Sequence, residues 1–408
     1  MSNKFKIKFY WNTAGTDSMN KRKVPIMKSS VGGLIPVLDA VLVNGFGEAS
    51  VSVRIDANDT NRAIVTETGH GYAKHCRIAL SGCADEELNG EFEIVGIVDD
   101  DRFVIDLAGV AHSVAAGESV AGTITAKVPS LGWTKEFAGT NTAVYRMGGG
   151  NRRYLWVDDS TTNSVNVKGA FDAKGVAEAD LVDAFFPSSS YIYWTKRTYS
   201  TEGGGLSSNS NVAWTIVGSD RFFYLSVAYS GDNTLDRRNS RLLYAFGDVN
   251  AYNEFDECAT IISSSSTTDH TSFWYNTSNY MAWAGTFTNQ RVSDVRGMML
   301  APFGEITNDS SSSSSSAFLP RELMPENDII PIATPVLLYD SSETAIRAEM
   351  PGIAGIATSL NGTPYYQNRI IAVNGMRYIV MGHTSQNQNV GCFLLQIDGD
   401  MHELKGVI

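Results

Sequence analysis

Two histidines and two cysteines lie close together in the sequence and are the first residues that suggest chemistry. His70, His75, Cys76 and Cys83 carry imidazole and thiolate groups, which are common ligands of Zn²⁺, but their spacing matches none of the common zinc patterns. His70 also lies within the Gly-His-Gly turn 69–71, where a structural role is the simpler explanation. We therefore expect no bound metal and no other cofactor.

Acidic side chains suggest two further kinds of chemistry. Asp99, Asp100 and Asp101 together could bind Ca²⁺, but the glycine and the distal glutamate of an EF-hand loop are missing, so a solvated hairpin tip is favoured. Glycoside hydrolysis needs two carboxylates roughly 5–9.5 Å apart across a groove, and a sequence does not show that separation. The candidates for such a pair are Asp158, Asp159, Asp172, Asp183 and Asp248.

Aromatic side chains are concentrated between residues 191 and 287. Such side chains stack on sugars and anchor protein interfaces. They also fill the core of a large β domain, which is the interpretation we favour. The candidates for an interface or a glycan site are Tyr191, Tyr193, Trp194, Trp274, Tyr275 and Trp283.

The composition limits the possible partners. The 408 residues suffice for two or three domains at ~100–200 residues each, and 43% of them are hydrophobic, so a large core can form. Only 19% are charged, a share that is typical of proteins with extensive subunit interfaces or with many β turns. The net charge of -12 argues against binding to a nucleic-acid backbone.

The first residues and the cysteines indicate where the chain is made. The start lacks the apolar run of a secretion signal, and no stretch approaches the ~20 apolar residues of a membrane span, so we expect no membrane contact. No C-x-x-C spacing occurs among Cys76, Cys83, Cys258 and Cys392. We expect free thiols in a protein that is synthesised in a reducing cytosol.

Short strands and helices must position these candidate side chains. In residues 4–11 lysines alternate with apolar side chains, which predicts a strand with one lysine face and one apolar face. Residues 1–30, as a strand and an extended arm, either reach onto a neighbouring subunit or form a plain edge strand with a loop. Apolar spacing and Pro36 predict a helix over 34–43, and a second short helix is predicted over 177–186.

Changes in composition predict the domain boundaries. Six short strand patterns indicate a small inserted β module over 48–128, while 31–47 and 129–305 form a β-rich body. Residues 306–328 are rich in serine and proline, which predicts a flexible loop. A C-terminal β segment over 329–408 follows.

The module segment resembles a known β module. Residues 69–107 contain GHGYAKHCRIALSG and ELNGEFEIVGIVDDDRFVID, which are similar to a small β module of phage tail and connector proteins and of ubiquitin-activating enzymes. The resemblance supplies no catalytic residue, because the adenylation and thiol chemistry of those enzymes lies in other domains. The motif residues are Gly69, His70, Gly71, Leu88, Asn89 and Gly90.

The flanking chain resembles a family of uncharacterised tailed-phage virion proteins that are associated with the tail. Similar pieces occur at 38–47, 132–146, 244–248 and 346–352, and the most specific is GWTKEFAGTNTAVYR at 132–146. Its motif residues are Gly132, Trp133, Phe137, Asn141, Tyr145 and Arg146. The resemblance implies a structural role in the virion, with the β module inserted into a surface loop of a host domain.

Together these observations predict a mainly β fold, with a β-sandwich-like body, an inserted small β-barrel module and one or two short helices. The expected function is that of a structural virion subunit of the tail, the baseplate or a head–tail or fibre junction. Such a subunit is not an enzyme and assembles with copies of itself and with other virion proteins. Two alternatives stay open: an adsorption protein that binds host-surface glycans, and a polysaccharide depolymerase, although the repetitive β-helix pattern of phage depolymerases is not evident.

Overall fold

The computed structural model is mainly β, which confirms the predicted fold class. It describes residues 7–12, 24–184, 192–196, 209–228, 241–252, 259–262, 281–286, 295–300, 334–340, 345–355, 368–373, 375–384, 390–399 and 401. The predicted serine-rich loop 306–328 lies outside the described residues. In the described part of the chain, no helix has the length and apolar character needed to cross a membrane.

The N-terminal part contributes two strands and a short helix. Its elements are β1 (Lys8–Asn12), β2 (Met27–Lys28), α1 (Ile35–Leu38) and a π-helical turn (Asp39–Asn44). Pro36 lies in the first turn of α1, where its missing N–H costs nothing. Gly45 ends the helical segment at a φ of 70°, a left-handed conformation that glycine adopts without strain. The helix predicted over 34–43 is confirmed.

Residues 46–128 form a seven-stranded sheet that curls into a nearly closed barrel. Its strands are β3 (Phe46–Ser50), β4 (Ser52–Ile55), β5 (Arg62–Thr66), β6 (Arg77–Cys83), β7 (Gly90–Ile97), β8 (Arg102–Asp106) and β9 (Gly122–Val128). The spatial order is β3-β9-β6-β7-β8-β5-β4. Backbone hydrogen bonds from Ile55 N–H to the Glu118 carbonyl and from Val120 N–H to the Val53 carbonyl join β4 to the chain just before β9.

A six-stranded sheet follows the barrel. Its strands are β10 (Thr134–Ala138), β11 (Thr142–Arg146), β12 (Tyr154–Asp158), β13 (Ser164–Ala173), β14 (Leu181–Ala184) and β15 (Ile192–Thr195). The order is β10-β11-β12-β13-β14, and β15 pairs with the first part of β13. Strand β13 therefore has β12 along one side and both β14 and β15 along the other.

The helix predicted over 177–186 is wrong. The chain makes a short 3₁₀ turn, Glu178–Asp180, and then enters β14. Val182 lies opposite Asp172 of β13 in the antiparallel register. Backbone pairing at the sheet edge outweighs the weak helical preference of this stretch, because tertiary context overrides local propensity.

Together with β1 and β2, the remaining strands form a two-stranded pair and a thirteen-stranded sheet. They are β16 (Asn211–Val212), β17 (Trp214–Gly218), β18 (Phe222–Ala228), β19 (Arg241–Asp248), β20 (Asn250–Ala251), β21 (Ala259–Ile262), β22 (Met281–Thr286), β23 (Val295–Leu300), β24 (Thr334–Asp340), β25 (Ala345–Gly355), β26 (Ile370–Val373), β27 (Met376–Thr384) and β28 (Val390–Gln396). The large sheet has the order β1-β17-β18-β19-β21-β22-β23-β24-β25-β28-β27-β26, and β20 pairs with β25. Strand β16 pairs with β2, so the end of the N-terminal arm lies on its own chain.

The large sheet folds back on itself. The Tyr224 hydroxyl in β18 donates a hydrogen bond to the Pro351 carbonyl in β25 at 2.8 Å. Thr215 Oγ1 in β17 donates to Asn368 Oδ1, just before β26, at 3.0 Å. Strands that are distant in the strand order are therefore neighbours in space. The division of the chain into domains stays a prediction.

The lysine face that the alternation predicts for the first strand is buried at Lys8. Only 7% of Lys8 is exposed, and its neighbours Ile7 and Phe9 are buried as well. The Lys8 ammonium pairs with the Glu91 carboxylate of the barrel at 2.7 Å and also donates to the Ser130 carbonyl. The Lys8 side of the strand thus packs on the barrel, where Lys8 has an ionic partner, because a buried charge must be paired.

Candidate functional site

Gly132 and Trp133 join the six-stranded sheet to the large sheet. Gly132 has a φ of 87° at the approach to β10. The Trp133 ring is buried and packs edge-on against Phe223, with ring centroids 5.4 Å apart. Its indole N–H donates to the Ser219 carbonyl at 2.9 Å. Trp133 therefore belongs to the core between two sheets.

Tyr145 links the six-stranded sheet to the helical segment. Its buried hydroxyl donates to Asp39 Oδ1 at 2.7 Å. Lys135 Nζ donates to Asp39 Oδ2 at 2.9 Å and lies 5.9 Å from the centre of the Tyr145 ring. Burial and the Asp39 carboxylate raise the pKa of Tyr145 well above its usual range. The hydroxyl therefore stays protonated and acts as a donor.

The other residues of the 132–146 motif also make structural contacts. Phe137 packs in a small apolar cluster that is separate from the main core. The Asn141 carbonyl accepts a hydrogen bond from Asp159 N–H at 2.8 Å. Arg146 Nε pairs with Glu136 Oε1 at 2.9 Å across the β10–β11 hairpin. The motif thus fixes the edge of the six-stranded sheet.

The Gly-His-Gly turn holds the tip of the β7–β8 hairpin. His70 Nδ1 accepts a hydrogen bond from Tyr72 N–H at 2.9 Å, so the ring proton must lie on Nε2. Nε2 is 3.0 Å from the Asp99 carbonyl and donates to it. Gly69 N–H donates to the Asp101 carboxylate at 2.6 Å. Both ring nitrogens and one tip carboxylate are therefore engaged within the module.

These contacts bear on the metal sites that the sequence suggested. Cys76 and Cys83 are free and buried, and burial raises the pKa of the Cys76 thiol to about 12. The Asp99 carboxylate accepts hydrogen bonds from Asp101 N–H and from the Arg102 guanidinium. Among the described residues, no group of three or more His, Cys, Asp or Glu side chains is arranged to hold a metal ion.

Leu88, Asn89 and Gly90 form the turn into β7. Leu88 is fully buried. Asn89 Oδ1 accepts a hydrogen bond from Cys83 N–H at 2.9 Å, and Asn89 Nδ2 donates to the Cys83 carbonyl at 3.0 Å. The amide side chain satisfies both backbone groups of Cys83 as a neighbouring strand would. Gly90 then begins β7.

Two of the six aromatic candidates have described side chains. Trp194 is 1% exposed, stacks against Tyr244 at 5.8 Å and meets Phe223 edge-on at 5.9 Å. Trp194 therefore belongs to the core, whereas Tyr193, one position earlier in β15, is half-buried. The candidates whose side chains lie outside the description are Tyr191, Trp274, Tyr275 and Trp283.

Four of the five candidate carboxylates have described side chains, and each accepts hydrogen bonds from its own partners. Asp248 is buried and accepts a hydrogen bond from Asn151 N–H at 2.9 Å, and burial raises its pKa. Asp158 and Asp172 accept hydrogen bonds from residues close in sequence. The side chain of Asp183 lies outside the description.

Asp159, the remaining candidate, forms a buried pair with Lys196. Neither side chain is more than 1% exposed, and Lys196 Nζ contacts Asp159 Oδ1. Asp159 Oδ2 accepts hydrogen bonds from Leu34 N–H at 2.7 Å and from Ile35 N–H at 3.3 Å, at the start of α1. Burial raises the pKa of Asp159 and lowers that of Lys196.

Acidic residues of β7 join the barrel to the large sheet at a site we call the barrel–body junction. Glu91 pairs with Lys8 of β1 at 2.7 Å. Two positions along the same strand, Glu93 Oε1 and Oε2 lie 2.5 and 3.1 Å from Arg377 Nη1 and Nη2 of β27. Arg377 Nε also donates to Asp398 at 2.8 Å. Strand β1 at one end of the large sheet and β27, the strand next to its other end, therefore both contact β7 of the barrel.

The hydrogen-bond partners of Glu93 stabilise its negative charge. Burial alone would raise its pKa, but hydrogen bonds from Arg377 and from His75 outweigh burial, and the pKa is lowered. His75 Nδ1 lies 2.9 Å from Glu93 Oε1. Sequence reasoning missed the junction, because Glu93 and Arg377 are 284 positions apart and neither lies in a motif that signals the other.

The fold and these contacts define a mainly β protein in which a nearly closed barrel is attached to a larger folded sheet. No family model matches the chain, and no curated protein matches it. Among solved structures, one similarity is to the phage phi92 endosialidase, with a TM-score of 0.18 and 10% identity over 89% of this chain. The chain spans 53% of that protein, about half its length. A TM-score this low carries no argument about fold or activity.

Proposed function

We propose that this protein is a structural subunit of a tailed bacteriophage virion, in the tail, the baseplate or a head–tail or fibre junction. It is synthesised in the cytoplasm of the bacterial host and works by assembling with copies of itself and with other virion proteins. It makes and breaks no bond in a substrate. The observation that carries the proposal is that the motif residues behind the family resemblance hold backbone segments of this chain together.

Four side chains support this reading directly. A residue that catalyses a reaction or binds a substrate through hydrogen bonds must present a polar atom to the substrate. Instead, the Trp133 indole N–H, the Tyr145 hydroxyl, both ring nitrogens of His70 and both amide atoms of Asn89 are engaged within the chain. The polar atoms of these motifs are thus used to hold this chain's own fold, which supports a structural role.

The composition supports assembly through protein surfaces. Only 19% of the residues are charged. The cores of subunit interfaces are depleted of charged side chains, since burying an unpaired charge is unfavourable. A surface of short polar and apolar side chains can be buried against a second copy at lower desolvation cost.

Size-exclusion chromatography with light scattering on the full chain tests the assembly. We expect a closed oligomer of defined copy number, because repeated subunits bury complementary surfaces around a symmetry axis. A glycan-binding screen and a viscosity assay on capsular polysaccharide accompany it. A monomer that binds glycans supports an adsorption protein instead, and a loss of viscosity supports a depolymerase; either result contradicts the proposal.

A further inference from the structure

The buried pair of Asp159 and Lys196 lies at one end of the six-stranded sheet. Asp159 directly follows β12, and Lys196 directly follows β15. Both strands flank β13, with Asp158 opposite Asn166 on one side and Thr195 opposite Ser164 on the other. The topology thus brings an amine and a carboxyl group together across the central strand, 37 positions apart in sequence.

The backbone fixes both residues. Asp159 N–H donates to the Asn141 carbonyl at 2.8 Å, and the Asp159 carbonyl accepts from Gly32 N–H at 2.9 Å. Lys196 N–H donates to the Asn163 carbonyl at 3.0 Å. When two groups are fixed next to each other by the fold, little entropy remains to be lost on the way to the transition state. This favours a reaction between them.

The Asp159 carboxyl group is also polarised. One of its oxygens, Oδ1, contacts Lys196 Nζ, while Oδ2 accepts hydrogen bonds from two backbone N–H groups, of Leu34 and Ile35. Paired backbone donors of this kind stabilise the negative charge that develops on oxygen when a carbonyl carbon is attacked. The arrangement therefore resembles an oxyanion hole around Asp159 Cγ.

From this geometry we infer that Lys196 and Asp159 join in an isopeptide bond formed by the chain itself. The neutral Lys196 amine attacks Asp159 Cγ, and a new N–C bond forms while Oδ2 carries the negative charge. The Cγ–Oδ1 bond then breaks. Oδ1 leaves as water and takes the carboxyl proton and one amine proton with it. The amide N–H that remains faces the Ser30 carbonyl oxygen, which lies 2.5 Å from Lys196 Nζ.

Burial favours the reactive forms of both groups. It raises the pKa of Asp159 towards the neutral acid and lowers the pKa of Lys196 towards the neutral amine. The alternative is a permanent buried ion pair, which contributes little stability because desolvation offsets the attraction. A covalent bond would instead fasten β12 to β15 across β13, which suits a subunit under mechanical load.

Intact-mass spectrometry of the denatured full chain tests the inference. We expect the chain, in whole or in part, to be lighter than its sequence by one water molecule. Digestion should then release a branched peptide that contains both Asp159 and Lys196. The Lys196→Arg variant keeps the positive charge but lacks a nucleophilic amine, so it should have the full sequence mass, as should Asp159→Ala.

Two results would overturn the inference. One is a wild-type chain of full sequence mass, a measurement that does not depend on how the variants fold. The other is a water deficit that persists in Lys196→Arg, since dehydration would then lie elsewhere in the chain. Neither result bears on whether the protein is a virion subunit, because an ion pair at this position is compatible with that function.

Discussion

Arg377 of the large sheet and Glu93 of the barrel are paired through two nitrogens and two oxygens, at 2.5 and 3.1 Å. Such two-point pairing fixes orientation as well as distance. Asp398 holds the same guanidinium from its other side. The barrel is thereby attached to the body through side chains as well as through the connections on either side of it.

Removing the Arg377 guanidinium should weaken this attachment. Arg377→Ala leaves Glu93 half-buried and without its main partner, and we expect a loss of about 1–3 kcal/mol in the free energy of unfolding. Urea denaturation measures it. Arg102→Ala is the matched control, because Arg102 forms an exposed ion pair on the same barrel. Equal effects of the two substitutions would argue against a specific junction.

The junction should also respond to acid. The pKa of Glu93 is lowered below its ordinary value of 4.5 in the folded chain. A lowered folded pKa gives stability that is present above the unfolded pKa and is lost as pH falls through the folded pKa. The stability difference between wild type and Glu93→Gln should therefore be largest near neutral pH and shrink below pH 4.5. A difference that is constant with pH would contradict the assignment.

Tyr145→Phe should destabilise the contact between the helical segment and the six-stranded sheet. The substitution removes the hydroxyl that donates to Asp39, at an expected cost of about 1–2 kcal/mol. Because burial raises the pKa of Tyr145 above its ordinary 10.0, this contribution is complete below pH 10 and is lost at higher pH. Tyr154→Phe, at a half-buried tyrosine of the adjacent strand, is the control and should change stability less.

The His70 ring should be the Nε2–H tautomer. Its Nδ1 accepts from Tyr72 N–H, so a proton on Nδ1 would break that bond. Long-range ¹H–¹⁵N NMR spectra distinguish the two nitrogens, and an Nδ1–H signal would contradict the arrangement. His70→Ala should cost about 2–4 kcal/mol, because two hydrogen bonds and the contact with Phe103 are lost. The control is His112→Ala, at a half-buried histidine of the same barrel.

Local patterns predicted much of the fold. The strands of the barrel follow the alternation of apolar and polar side chains, as in β5, where Ala63 and Val65 are buried and Arg62 and Thr66 are exposed. The helix after Pro36 and its end at Gly45 are also predicted by nearby residues alone. The turn around His70 was recognised as structural from its two flanking glycines, although its partner Asp99 was not foreseen.

The rest depends on contacts between distant residues. The alternation in the first strand predicts a lysine face but not that Lys8 is buried against Glu91, 83 positions away. Val182 was expected in a helix and instead lies in an edge strand opposite Asp172. The pairing of Asp159 with Lys196 is set by the order of strands around β13. None of these pairings leaves a signal in the neighbouring residues.

With the proposed function, this chain is a structural part of a phage particle. The most direct test is to image purified particles of the phage that encodes it, with a label on the 46–128 barrel, and to measure its copy number by mass spectrometry. The account predicts a fixed number of copies and a label on the tail, the baseplate or a junction. Particles that lack the protein, while the lysate contains it, would contradict the account.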